Sequence, residues 1–138
     1  MTLRESYIQA LLDLFRDASG FPATPERSLK AAFSREEGTI IVVHRGKEFQ
    51  EDAVLGYADR HCEVLVSVIS RDEAPDRVAD DVMEIAHPLI MNFCSEKLVD
   101  VVEGPTDQPL FSNVDPSACV VTTHYVLRYR TQSDSLVQ

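Results

Sequence analysis

The first twenty residues place their hydrophobic positions at helical spacing. At about 100° per residue, Leu3, Tyr7, Ile8, Ala10, Leu11, Leu14, Phe15 and Ala18 fall within one half of a helical wheel, with Leu12 at its edge. Glu5, Ser6, Gln9, Asp13, Arg16 and Asp17 take the other half. Thr2, followed three residues later by Glu5, forms a capping box, and Gly20 and Pro22 stop the helix. The pattern then changes period. Pro22 and Pro25 favour extended chain, 27–32 fits a short strand and 34–38 a turn. TIIVVHR (39–45) is a β-branched run, apolar on both faces, as in a strand inside a sheet. GKEFQEDAVLG (46–56) reads as a charged loop.

Residues 58–71 alternate strictly. Cys62, Val64, Val66 and Val68 share one face of a strand; His61, Glu63, Leu65, Ser67 and Ile69 share the other. A second amphipathic helix follows over 76–93, with Val82, Ile85, Leu89 and Phe93 expected toward the sheet. Pro88 inside it removes the bond to the Glu84 carbonyl, which predicts one bent helix rather than two. LVDVVE (98–103) is a short strand, 104–117 a Pro/Asp/Asn-rich loop, and SACVVTTHYVLRYRT (117–131) the longest strand. In that last strand Cys119, Val121, Thr123, Tyr125, Leu127 and Tyr129 alternate with Val120, Thr122, His124, Val126, Arg128 and Arg130. The order α-β-β-β-α-β-β predicts an α+β fold. It is a two-layer domain over 1–131 in which both helices cover one face of a mostly antiparallel, mixed sheet. Residues 132–138 are expected to fray.

Composition narrows the function classes. With 138 residues and 44% apolar content, the chain can bury one real core. No run approaches the ~20 apolar residues of a membrane span, and Arg4, Glu5 and Asp13 interrupt any secretory core, so a cytoplasmic site of synthesis is expected. Thirteen Lys and Arg against 23 Asp and Glu give a net charge of −10. The cations are scattered, so specific nucleic-acid recognition is not expected; the same excess of acid opposes close assembly by self-repulsion.

Candidate chemistry is sparse. The sequence contains no phosphate-binding loop, dinucleotide fingerprint, HExxH, GxSxG or CxxC. Cys62 with His61 or His44 is the best nucleophile–base candidate; adjacent strand residues point to opposite faces, so His61 cannot serve Cys62, which leaves His44 from a neighbouring strand against the commoner reading of a buried thiol. Cys119 and His124 fail as metal co-ligands by the same parity. The Asp80–Asp81–Glu84 cluster reads as a solvated helix face. Hence no catalytic, cofactor or metal residue is assigned. What remains is surface. The uncovered sheet face offers Leu65, His124 and Val126, and the 46–56 segment with its neighbour offers Arg45, Lys47, Phe49, Glu51 and Asp52. Mixed apolar and opposite-sign patches of this kind suit self-complementary contacts.

Four stretches together resemble the tail terminator proteins of long-tailed bacteriophages, the minor tail protein U-like group. They are the capped helix TLRESYIQALLDLF, the strand running into charge TIIVVHRGKEFQED, the strand–turn–helix EVLVSVISRDEAPDRVADDVMEIAHPLI, and the final strand DPSACVVTTHYVLRYRT. The resemblance spans about 2–131 and rests on order and spacing. It implies an α+β subunit, neither an enzyme nor a cofactor binder, that assembles as a hexameric ring on the tail tube. Such a ring stops tube polymerisation and offers a surface to a head-completion or connector protein. The implied partners are further copies of the chain, the tail tube protein and that head-side protein. The implied location is the virion, after assembly in the bacterial host cytoplasm. DNA would pass through the ring unread, and an acidic lining suits passage. Two other readings use the same residues: a non-catalytic adaptor or small-ligand module on this scaffold, and a thiol enzyme built on Cys62.

Overall fold

A computed structural model describes residues 1–29 and 38–138. In chain order the elements are α1 (Leu3–Asp17), β1 (Thr24–Glu26), β2 (Ile40–Asp52), β3 (Tyr57–Arg71), α2 (Pro75–Met91), β4 (Leu98–Thr106), β5 (Leu110–Phe111) and β6 (Ala118–Gln132). This is the expected α+β order, with the two-residue β5 added. The sheet runs β1-β2-β3-β6-β4, and β5 also pairs with β6. Among the described strands β1 is parallel to its neighbour β2, and every other pair is antiparallel. β3 and β6 pair along their full length, from Tyr57↔Gln132 to Arg71↔Ala118. The strand that comes last in this sequence is internal to the sheet.

The helices cover one face, α1 over β1 and β2, α2 over β3, β6 and β4. Period-2 alternation supplies that face. Cys62, Val64, Val66 and Val68 meet Cys119, Val121, Tyr125, Leu127 and Tyr129, all buried, beneath Tyr7, Ile8, Leu11 and Phe15 of α1 and Ala79, Val82, Ala86 and Ile90 of α2. Each fully buried Val, Leu or Ile here contributes about 1.5–3 kcal/mol relative to exposure. The Thr2 side chain accepts from the Glu5 N–H at 3.3 Å, capping α1. Three core tyrosines carry hydroxyls, and each is satisfied: Tyr7 on the Glu96 carbonyl (2.8 Å), Tyr125 with His87 Nδ1 (2.7 Å), Tyr129 on Glu48 Oε1 (2.6 Å).

Several boundaries differ from expectation. The first short strand is 24–26, not 27–32; residues 30–32, and most of the expected turn at 34–38, lie outside the described residues. The supposed 46–56 loop is the outer half of β2, and only 53–56 turn, with Gly56 at φ +82°. As expected, α2 is a single helix through Pro88, which sits on its exposed side; Ile85, expected against the sheet, is instead 44% exposed. The tail beyond β6 is tied back rather than frayed: the Leu3 N–H donates to the Leu136 carbonyl (2.9 Å) and the Ser133 N–H to the Gly56 carbonyl (2.9 Å).

Candidate interaction surface

The geometry of the β2–β3 hairpin turns on one extra residue. Arg45 pairs with Val64, but the next aligned pair is Glu48 with Cys62, so β2 spends three residues against two of β3. This is a β-bulge, and it inverts the side-chain alternation of β2. Before it Ile41 and Val43 face the helices; after it Glu48 does, while Phe49 and Glu51 turn to the open face. Gly46 sits in the bulge. A Cβ there would overlap the Glu63 carboxylate and a Leu65 methyl.

The bulge therefore drives Glu48 into the helix-covered side, where it gathers a polar network. Its carboxylate is only 7% exposed. It pairs with Arg4 of α1, lies 3.7 Å from Arg60 of β3 and accepts from Tyr129. Arg60 is itself buried, donating to Thr131 Oγ1 at 2.8 Å and to the Ser135 carbonyl at 3.4 Å. Helix α1 and both central strands thus converge on one carboxylate, and Arg60 links it to the segment after β6. Sequence reasoning missed it because it read 46–56 as loop. Gly46 inside a β-branched and charged run was the available signal.

The same side holds Cys62, fully buried and beside Glu48. Burial first, and the Glu48 carboxylate second, push its thiol up to about 12. His61 projects from the opposite face, stacked on Phe49 with ring centroids 4.5 Å apart, and His44 bonds Ser67 on the open face at 3.3 Å. Neither His61 nor His44, the imidazoles considered for Cys62, shares its side of the sheet; His87 of α2 does but is engaged by Tyr125, and Cys62 stays a thiol.

The open face is a field of paired charges. Arg128 donates through two nitrogens to Asp100, and Arg130 does so to Asp59 at 2.7 and 3.2 Å. These guanidiniums hold both carboxyls below the usual range, and the carboxylates raise the arginines. His124 Nε2 reaches Asp107 at 2.9 Å, and its Nδ1 lies 3.3 Å from Glu63 in a charge contact outside hydrogen-bond geometry. The hydrogen bond to Asp107 is the main reason its pKa rises. His44 shifts the other way, chiefly by burial and then by the Arg27 and His124 charges.

The eight expected contact residues do not form one patch. Leu65 and His124 are register partners, Val126 lies across from Glu63, and Phe49 and Glu51 share their face. Arg45 and Asp52 lie on the helix side of β2, opposite Val64 and Ala58. Lys47 is exposed in the bulge. The open face is also less open than expected. Ile69, with Ile40 and Val42, is buried in a second small cluster against which Leu29 and Val120 pack. Exposed apolar side chains concentrate instead at the hairpin turn, Val54 and Leu55, and along β4–β5, Val99, Val102, Leu110, Phe111 and Val114.

No described helix is long and apolar enough to cross a membrane. Among the described residues no group of three or more His, Cys, Asp or Glu is placed to hold a metal ion. A scan of protein-family models finds no match, and a search of curated proteins finds none.

Proposed function

We propose that this chain is a structural subunit of a phage-type tail, a terminator that assembles as a ring, caps the tail tube and presents a joining surface to the head side. The observation that carries the reading is the resemblance over 2–131, in which element order and spacing follow the tail terminator pattern. Three features of the surface agree with it. The open sheet face is saturated with internal ion pairs, which leaves few groups to recognise a small ligand. The exposed apolar residues sit at the hairpin turn and the β4–β5 edge, where a neighbouring subunit or tube could cover them. The net charge of −10 suits a ring through which DNA slides without being held. In this reading the chain works with copies of itself, the tube protein and a head-completion protein, first in the host cytoplasm and then in the virion.

The test is direct. Purified protein added to growing tail tubes should yield tubes of fixed length with a cap density in electron micrographs. Lys47→Glu/Phe49→Ala should leave the fold intact, since exposed charges matter to folding by under ~0.5 kcal/mol, and should give tubes of uncontrolled length. Tubes that elongate equally with and without the wild-type protein would overturn the reading.

A further inference from the structure

Where β2 runs on past β1 the sheet presents a local cluster of cations, and on the β4 side a run of carboxylates. At the β2 edge, Thr2, Arg4, Glu5, Ile8, Arg27 and Arg45 line one notch. Arg4 is engaged by Glu48, and Arg27 by Glu5 through two nitrogens at 2.8 and 3.1 Å. Arg45, exposed at the rim, has no ion-pair partner among the described residues, and neither has Lys47 two residues on. Three guanidiniums thus meet two carboxylates in the notch, with Lys47 adding to the excess.

At the β4 edge the sign is reversed. His87 of α2 reaches Tyr125 of β6 and lies 3.8 Å from Glu103 of β4, which fixes which flank of the helix looks toward that edge. Asp80 and Glu84, seven and three residues before His87, fall on the same flank by helical spacing, and both are exposed. Arg77 of the same helix is engaged by Asp72 at 3.8 Å. The edge therefore shows Asp80, Glu84 and Glu103. β3 and β6 stand between β2 and β4, so one chain cannot bring its own two edges together.

Direct strand addition is blocked at both edges. β2 carries its bulge and a run of charge over Arg45–Asp52, and β4 carries Pro105 and two register shifts. Side-chain contact remains. We infer that the Arg45–Lys47 rim of one copy receives the Asp80–Glu84–Glu103 stripe of the next, head to tail. Unlike surfaces on opposite edges generate a heterologous contact, the kind that closes rings. The acidic excess does not forbid it. At physiological salt the repulsion between whole subunits is screened beyond ~8 Å, whereas contacting pairs keep their attraction. The contact rests on the ring reading above and assigns its faces.

A charge swap tests it. Arg45→Glu/Lys47→Glu makes both patches acidic, and Asp80→Arg/Glu84→Arg makes both basic. In sedimentation velocity each variant alone should need about tenfold or more higher concentration than wild type to assemble. An equimolar mixture should assemble again, because the two proteins can alternate. Circular dichroism checks that each is folded. Should either fail to fold, carbodiimide coupling of the wild-type oligomer replaces the swap, and Lys47 should be joined to Asp80, Glu84 or Glu103 of another copy. Wild-type oligomers unaffected by either variant, a mixture no better than its components, or cross-links confined to other sites would overturn this contact and leave the ring reading standing. A wild-type chain monomeric at every concentration, with or without tail tubes, would overturn both.

Discussion

Glu48 is a charged residue whose surroundings were made by a backbone irregularity. Removing its carboxylate strands Arg60, which is 8% exposed, and frees the Tyr129 hydroxyl inside the core. Breaking a buried pair by deleting one partner costs about 3–5 kcal/mol. Glu48→Ala should lower unfolding free energy by about 3 kcal/mol in urea, with the m-value unchanged; a loss below ~1 kcal/mol would mean that the network adds little. The two shifted histidines make a second residue-scale prediction. His124 is raised from 6.5 by Asp107 and Glu63, so its stabilisation is full below 6.5 and fades as pH climbs through the folded pKa. His44 is lowered from 6.5 by burial, Arg27 and His124, so it costs nothing above 6.5 and destabilises as pH falls through that value toward its folded pKa. Imidazole NMR should place the His124 midpoint above 6.5 and the His44 midpoint below it. His124→Gln should flatten the decline in stability above pH 6.5. Coincident midpoints would show that the carboxylates do not grip His124.

At the scale of elements, α2 carries an avoidable cost. Pro88 lies inside the helix on its exposed side and offers no N–H to Glu84. Interior proline costs about 3 kcal/mol relative to alanine. Pro88→Ala should raise stability by about 1–3 kcal/mol, read as a higher thermal midpoint; no gain would mean that proline costs this helix nothing. Most elements were legible because their periods were clean. α1, β3, α2 and β6 each keep one period for fourteen residues or more, and the covered face of β3 and β6 followed from alternation alone. β2 was half legible. Its first four residues are apolar, but the bulge at 45–48 breaks the alternation and the strand continues through charge, which reads locally as loop. The same bulge moved Arg45 away from Phe49 and Glu51, so residues near in sequence were assigned to one surface and lie on two. Ile85 was misplaced because a helical stripe half a wheel wide includes positions at its margin. β1 and β5 carry no period at all, being three and two residues long.

The segment after β6 ties α1 to the β2–β3 hairpin. β6 pairs with β3, β4 and β5, so it joins the β2–β3 hairpin to the β4 side of the sheet. The tail then crosses back: the Leu136 carbonyl accepts from Leu3 at the start of α1, the Ser135 carbonyl from Arg60, and the Gly56 carbonyl from Ser133. Deleting 133–138 removes these three bonds together. The Leu3 and Ser133 positions border water, so their net worth is modest, about 1 kcal/mol each at most. Arg60 is buried, and it would keep only Thr131 and the more distant Glu48. The truncated chain should still fold, since the β3–β6 ladder is untouched, but should lose about 1–3 kcal/mol. Hydrogen exchange should localise the loss: amides of α1's first turn and of the hairpin turn at 53–57 should exchange faster, while central β3 and β6 amides follow only the global change. Equal acceleration everywhere would make the tail part of the cooperative core. No change at Leu3–Glu5 would show that the bridge between the two termini contributes nothing to holding α1 on the sheet.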